Sequence, residues 1–118
     1  MRRLFTAILT VSLVSVSFAH AVNAQDRAAT EQRLRVELAK LLKKDAAKLP
    51  LDKPVTGLGA DDLTVVEWQM AAERAFRVDI AQDKVFDPKT KATRKDLTIS
   101  SMAGIVATSK PWPAGKTK

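Results

Sequence analysis

The chain has 118 residues, a length that allows one domain, and a formal net charge of +7. It contains no cysteine and no tyrosine, and its single histidine, His20, lies near the N-terminus. Thiolate chemistry, disulfide bridges and Cys/His zinc sites are therefore excluded, and the fold must rest on its hydrophobic core alone.

Residues 1–24 have the plan of a secretory signal peptide. Arg2 and Arg3 form a positive start, an apolar run continues to about Val16, and small residues follow. These small residues predict cleavage after Ala24, with Ala21 as the other candidate. An uncleaved membrane anchor is the alternative, but the run is shorter than the about 20 apolar residues of a spanning helix and contains hydroxyl groups. We expect an exported, periplasmic or secreted protein whose mature part has no histidine to act as a general base.

The positive charge favours anionic partners or surfaces through long-range attraction. Aromatic residues make up 5% of the chain, which leaves few side chains to stack on bases. Together with the predicted export, this argues against nucleic-acid binding.

The first half of the mature chain predicts one helix and one long loop. After a polar, frayed segment over residues 25–30, apolar positions at helical spacing predict a helix from about Thr30 to Lys44. Its core face consists of Leu34, Leu38, Leu41 and Leu42. From Asp45 to Ala60, prolines and glycines predict a loop without a helix. Its anchors on the core are Leu49, Leu51, Val55 and Leu58.

A second helix is predicted to begin near Asp61 and to end at about Arg77. Asp61 and Asp62 can cap its N-terminus and complement the helix dipole, and Thr64 with Glu67 forms an alternative capping box. The predicted inward side consists of Leu63, Val66, Met70, Ala72 and Phe76. Trp68 is assigned to the core, with an exposed partner-binding role as the alternative.

The last third of the chain predicts shorter elements. Gln82–Phe86 predicts one helical turn with Val85 and Phe86 facing the core, inside a basic segment that runs to about Asp96. Thr98 or Ser100 can cap a final helix in which Gly104 marks a close helix contact. Residues 110–118 predict a flexible Pro/Lys-rich tail, because Pro-Trp-Pro cannot continue a helix. Trp112 could fold back on the core or serve as an interaction motif.

The segment Leu58-Gly59-Ala60-Asp61-Asp62-Leu63 resembles the region around the prosthetic-group serine of acyl carrier proteins, whose pattern is Gly-Ala-Asp-Ser-Leu. Positions that follow it in order and spacing are Val66, Glu67, Met70, Glu73, Phe76 and Val78-Asp79-Ile80. The resemblance extends from about Leu34 to Val106. It implies an all-α, acyl-carrier-protein-like four-helix bundle over residues 25–109, with three longer helices, one short helix and a long first loop. The stretch from Lys84 to Lys95 looks like an insertion.

Asp62 stands where the resemblance places the serine that carries phosphopantetheine. A carboxylate offers no hydroxyl for a stable phosphodiester, and Thr64 lies about 200 degrees further around the helix. We therefore predict no cofactor, no catalytic residue, no metal site and no enzymatic activity.

Three non-enzymatic functions remain open for a protein that we expect to be monomeric. The first is binding of a protein partner through Asp61, Asp62, Glu67, Trp68 and Glu73. The second is non-covalent binding of a fatty acyl chain or another small apolar ligand. The third is attachment to an anionic membrane or envelope surface, for which the candidates are Lys84, Lys89, Lys91, Arg94 and Lys95. The simpler interpretation is that these basic residues lie in a solvated loop without a binding role.

Overall fold

The computed structural model describes residues 24–115, so the predicted signal peptide and its cleavage site lie outside or at the edge of the described part. Four helices form the fold: α1 (Ala24–Leu42), α2 (Asp62–Phe76), α3 (Gln82–Val85) and α4 (Ile99–Thr108). Two 3-10 helices, Ala46–Lys48 and Val55–Leu58, lie in the first loop, and the two-residue strands β1 (Val78–Asp79) and β2 (Lys110–Pro111) pair antiparallel. The expected all-α carrier-like bundle with one short helix is confirmed. Across residues 24–115, no helix is long and apolar enough to cross a membrane.

Helix α1 packs against α2 and α4, and its leucines form the centre of the core. Leu34 and Leu38 are fully buried, while Leu41 and Leu42 are half-buried at its rim. The loop anchors behave as predicted, since Leu49 and Val55 are buried and the other two pack against the core. The 3-10 turns supply local backbone hydrogen bonds where prolines and glycines prevent a longer helix.

The prediction of a frayed segment over residues 25–30 is wrong, because α1 already begins at Ala24. Its first turns are held by α4. Arg27 donates a 2.7 Å hydrogen bond to the Ser100 carbonyl, and the Ser100 hydroxyl donates to Glu31 at 2.5 Å. The Arg27 guanidinium also lies beside Gly104, so the contact at that glycine is made by the end of a long side chain of α1 and not by a close approach of two helices. These contacts connect residues about 70 positions apart, so local sequence could not reveal them.

The predicted inward side of α2 is largely wrong. Leu63, Val66 and Met70 are 66%, 39% and 48% exposed, and the helix turns a different face to the core. That face consists of Val65, Trp68, Gln69, Ala72 and Glu73. Trp68 anchors it, because the indole is fully buried and donates a 3.0 Å hydrogen bond to the Leu34 carbonyl on α1. The assignment of Trp68 to the core is therefore confirmed.

The C-terminal elements close the bundle. Val85 and Phe86 are buried, as predicted for the turn that forms α3. Thr98 caps α4 in a reciprocal capping box with Ser101. The prediction that a flexible tail begins at Lys110 is wrong for its first residues, because β2 pairs with β1. Trp112 folds back: its indole donates a 2.9 Å hydrogen bond to the Val78 carbonyl.

Candidate functional site

The site lies at the start of α2, where a left-handed residue and an aspartate redirect the chain. Gly59 has a φ of 102°, a conformation that glycine adopts without strain, and Asp61 occupies the N-cap position with extended backbone angles. The Asp61 carboxylate accepts hydrogen bonds from the Thr64 backbone N–H at 2.8 Å and from the Thr64 hydroxyl at 2.7 Å. These two bonds hold the pKa of Asp61 below its usual range. Asp61 is thus the predicted cap, and the alternative start at Thr64 is not used.

Asp62 does not share this capping role, contrary to the expectation that it stabilises the helix end. Its carboxylate accepts hydrogen bonds from the Thr93 backbone N–H at 3.0 Å and from the Thr93 hydroxyl at 2.7 Å. Both bonds lower the pKa of Asp62, while the neighbouring Asp61 charge opposes the shift. Asp62 therefore joins the start of α2 to the basic segment.

The segment that Asp62 holds is a compact hydrogen-bonded unit, which we call the 85–94 loop. Phe86 and Thr93 form an antiparallel bridge, and Asp87 donates its N–H to the Ala92 carbonyl at 2.8 Å. At its open end, the Arg94 N–H donates to the Val85 carbonyl at 2.9 Å. At its tip, Lys91 adopts a left-handed conformation with a φ of 64°. The predicted insertion is thus an ordered hairpin-like loop.

A groove of about 500 Å³ lies between α2 and the 85–94 loop. Its apolar lining comes from Leu63, Val66, Phe86 and Pro88. Its polar lining comes from Asp62, Gln82, Asp83, Asp87 and Lys91. Three acidic residues and one lysine therefore line this groove, so its rim has a net negative charge although the whole chain is basic. Such a rim disfavours anions and accepts uncharged or cationic groups.

The exposed apolar residues of α2 continue this groove along the helix. Leu63, Val66 and Met70 follow the i, i+3, i+7 spacing, which places them on one face. We call this set the α2 stripe. Asp62 and Glu67 are exposed on the same helix and add carboxylates beside it. Asp62 and Glu67 are among the predicted partner-binding residues, whereas the prediction that the stripe belongs to the core is wrong.

Two of the five partner-binding candidates are not available on the surface. Trp68 is fully buried, and Glu73 is 7% exposed and accepts a 3.0 Å hydrogen bond from the Ile80 N–H. Their proposed contact with a partner is therefore wrong. Asp61, Asp62 and Glu67 are exposed.

The five basic candidates for binding an anionic surface differ in their exposure. Lys84, Lys89, Lys91 and Lys95 are exposed, but Arg94 is half-buried and its Nε donates a 2.7 Å hydrogen bond to the Asp83 carbonyl. Arg94 is thus partly used inside the fold, and Lys91 faces the groove with the acidic rim. Attachment to an anionic surface stays a prediction that rests on the four lysines.

The described residues offer little else for chemistry. Between residues 24 and 115, no cluster of three or more His, Cys, Asp or Glu side chains could hold a metal ion. The two threonine hydroxyls beside the start of α2, those of Thr64 and Thr93, both donate to aspartates.

A family model described as the phosphopantetheine attachment site matches residues 32–91, which is just over half of the chain. The match begins in α1, includes α2 and α3, and ends at Lys91 in the 85–94 loop. A comparison with curated proteins gave no match.

Proposed function

We propose that this chain, which belongs to the phosphopantetheine attachment-site family of carrier domains, is an exported, non-enzymatic member that carries no phosphopantetheine and binds a protein partner. Carrier domains of this family present a group to other proteins and are typically not catalysts themselves. The α2 stripe, together with the carboxylates beside it, provides the surface for this function.

The residues at the start of α2 do not fit a phosphopantetheine attachment site. Attachment needs a free hydroxyl, and the resemblance to carrier proteins puts Asp62 at that position. Asp62 already accepts two hydrogen bonds, and the nearby Thr64 hydroxyl is bonded to Asp61. The serines of the described part, Ser100, Ser101 and Ser109, all belong to α4 or its cap. We therefore infer a binding domain without the prosthetic group.

The exposure of the α2 stripe is the observation that supports partner binding. Leu63, the most exposed of the three, leaves 66% of its surface open to water, whereas the leucines Leu34 and Leu38 of α1 are fully buried. Contiguous exposed apolar side chains next to charged groups are typical of interaction surfaces. The partner that fits is a protein with an apolar patch rimmed by lysine or arginine, because Asp61, Asp62 and Glu67 carry negative charge there.

Affinity capture from the native envelope fraction tests this proposal. The bait is the wild-type protein, compared with a Leu63→Gln/Val66→Gln/Met70→Gln variant. The matched control is Ala107→Gln, which changes an exposed apolar residue on α4. We expect one partner to be retained by the wild type and the control and lost with the triple variant. Retention by all three baits would contradict the proposal.

Intact-mass analysis of the same bait tests the two other parts of the proposal. Export with cleavage after Ala24 predicts a mature protein that begins at Gln25, and the absence of the prosthetic group predicts no added mass. A phosphopantetheine adduct would overturn the inference from Asp62. An uncleaved N-terminus would remove the export proposal without affecting the α2 stripe.

A second candidate function is supported by the groove between α2 and the 85–94 loop. Its lining of Leu63, Val66, Phe86 and Pro88 could receive a small apolar ligand. The net negative rim disfavours a free fatty acid, whose carboxylate would meet three acidic residues and one lysine. Thermal-shift measurements with matched fatty alcohols and fatty acids test this candidate. We expect protection by the alcohols to exceed that by the acids, and no response to either would count against ligand binding.

A further inference from the structure

Four exposed side chains form a row along α2 that changes from acidic to basic. The row consists of Asp62, Val66, Met70 and Arg74, and all four residues are exposed. Because they are spaced four positions apart, they follow one ridge of the helix surface, which we call the α2 ridge. The order of the side chains along this ridge is therefore anion, apolar, apolar, cation.

The two charged ends of the α2 ridge are open to a further partner. Asp62 accepts both hydrogen bonds from Thr93 on one oxygen, Oδ1, so its Oδ2 is left for a cation. Within residues 24–115, the Arg74 side chain has no ion pair, and the α2 positions three and four residues away from it carry no carboxylate. The other acidic residues of the groove rim lie beside Asp62, and the exposed Arg77 lies beyond Arg74. One end of the ridge is thus acidic and the other basic.

Such a ridge is complementary to itself when two copies meet with their α2 helices antiparallel. A two-fold axis midway between Val66 and Met70 places Val66 of one copy opposite Met70 of the other. The same axis places Asp62 opposite Arg74 at both ends. The contact then has an apolar centre between two ion pairs. Parallel helices in the same register would instead bring like charges together, which disfavours that arrangement.

We propose that the α2 ridge docks on the α2 ridge of a second copy of this chain, in an antiparallel and two-fold symmetric dimer. This inference rests on the proposed function of the α2 stripe and names its partner. A second copy has the required apolar patch rimmed by arginine, since Arg74 and Arg77 follow Met70 on the exposed side of α2. A monomer is expected from the sequence, and the exposed ridge is the observation that favours a dimer instead.

Sedimentation velocity of the purified protein at a series of concentrations tests whether it dimerises. We expect a reversible equilibrium of monomer and dimer for the wild type and for Ala107→Gln, the exposed control on α4. Val66→Gln/Met70→Gln removes the apolar centre of the contact and should weaken dimerisation about tenfold or more. A wild type that stays monomeric at every concentration, or a dimer that the double variant leaves unchanged, would overturn the proposal.

Charge reversal tests the antiparallel arrangement. Arg74→Asp and Asp62→Arg each put like charges at both ends of a homodimer, so each variant should dimerise about tenfold or more weakly than the wild type. Arg74→Asp keeps the contact between Asp62 and Thr93, so loss of that contact could not explain its effect.

Mixing the two charge variants is the decisive measurement. Each arginine of one copy then faces an aspartate of the other, so the mixture should form a heterodimer although neither variant dimerises well alone. The recovery cannot come from repair of the contact with Thr93, which stays broken in the Asp62→Arg copy. If circular dichroism shows both variants to be folded and the mixture still does not associate, the antiparallel docking is wrong.

Failure of the dimer and failure of the proposed function give different results. A monomeric wild type whose captured partner is still lost with Leu63→Gln/Val66→Gln/Met70→Gln would remove the dimer and keep the α2 stripe as a binding surface for another protein. Capture of the untagged chain by a tagged wild-type bait, and not by the triple-variant bait, would support both.

Discussion

Two neighbouring carboxylates at the start of α2 have separate tasks. Asp61 caps its own helix through Thr64, whereas Asp62 bonds to Thr93 in the 85–94 loop. Both tasks use the ionised carboxylate as an acceptor, which is why the pKa of each group is lowered. Asp61 therefore stabilises the end of the helix, and Asp62 fixes the position of Thr93 beside it.

The lowered pKa values predict how these contacts respond to acid. A carboxyl group whose pKa is lower in the folded state stabilises the protein fully above the ordinary aspartate pKa of about 3.9, and this contribution is lost as the pH falls through the folded-state value. We expect wild type to be more stable than Asp62→Ala at neutral pH, with the difference shrinking only below the ordinary range. Urea denaturation over a pH series measures it. A difference that fades already near neutral pH would contradict the assignment.

Trp68 is the residue on which the packing of α1 against α2 depends. Trp68→Phe removes the hydrogen bond to the Leu34 carbonyl and leaves a cavity, so we expect a loss of about 2 kcal/mol or more in the free energy of unfolding. Urea denaturation followed by far-UV circular dichroism provides the measurement. Glu67→Gln, one position earlier but exposed, should change stability by less than about 0.5 kcal/mol. Equal effects of the two substitutions would contradict the burial of the indole.

At the scale of elements, substitutions of Gly104 test how α1 packs against α4, because the Arg27 side chain of α1 contacts α4 at this glycine. A Cβ added there would lie 3.4 Å from the Arg27 Nη2, which is an ordinary contact with the end of a flexible side chain. We therefore expect Gly104→Ala to raise the free energy of unfolding, by up to about 1 kcal/mol, through helix propensity.

Gly104→Leu serves as the contrasting variant. Its longer side chain would displace the guanidinium and break the hydrogen bond from Arg27 to the Ser100 carbonyl. Thermal denaturation of both variants, with Arg27→Ala as the reference for loss of that bond, measures the difference. If Gly104→Ala is as destabilising as Gly104→Leu, the Arg27 side chain requires bare backbone at this position.

The elements also show which parts of the structure could be predicted from sequence. Three local signals led to the correct elements. They are the leucine spacing in α1, Gly59 ahead of the Asp61 cap of α2, and the Thr98 cap of α4. Helix α2 carries apolar residues on two faces. Periodicity alone could not show that the face with Val65 and Trp68 is buried and that the α2 stripe is exposed, because α1 makes that choice through contacts more than 30 positions away.

The candidate site was predictable only in part for the same reason. Asp61 and Asp62 are visible as helix-capping residues in the sequence, but the bond between Asp62 and Thr93 joins positions 31 apart across an irregular loop. Nothing in the local pattern around Thr93 distinguishes it from the other polar residues of a basic segment. The groove lies between α2 and the 85–94 loop, so it could not be predicted from the local sequence either.

At the scale of the whole molecule, the chain after α4 closes the bundle. Strand β2 pairs with β1, the Trp112 N–H donates to the Arg77 carbonyl at 2.8 Å, and its indole donates to the Val78 carbonyl. Arg77 ends α2 with a left-handed φ of 54°, which turns the chain into β1. Residues 110–112, which we call the strap, bond to this turn through the Arg77 carbonyl and pair with β1. The strap thus secures the connection between α2 and α3, the two helices that border the groove.

Deletion of the chain from Lys110 onward tests this role. The shortened protein loses the pairing of β1 with β2 and both Trp112 hydrogen bonds, and it exposes Val78, which is buried in the intact chain. At about 1 kcal/mol for each hydrogen bond, we expect the free energy of unfolding to fall by about 2 to 3 kcal/mol, measured by urea denaturation.

Deletion from Ala114 onward is the matched control, because it removes residues at the C-terminus but keeps the whole strap. We expect its stability to match that of the intact chain. Amide exchange at Val78 and Ile80 should rise in the longer deletion and stay unchanged in the control, since only the longer deletion frees the turn after α2. Equal stability of the two shortened proteins would mean that the bundle closes without the strap, and that the groove borders are held by the core and by the contact between Asp62 and Thr93 alone.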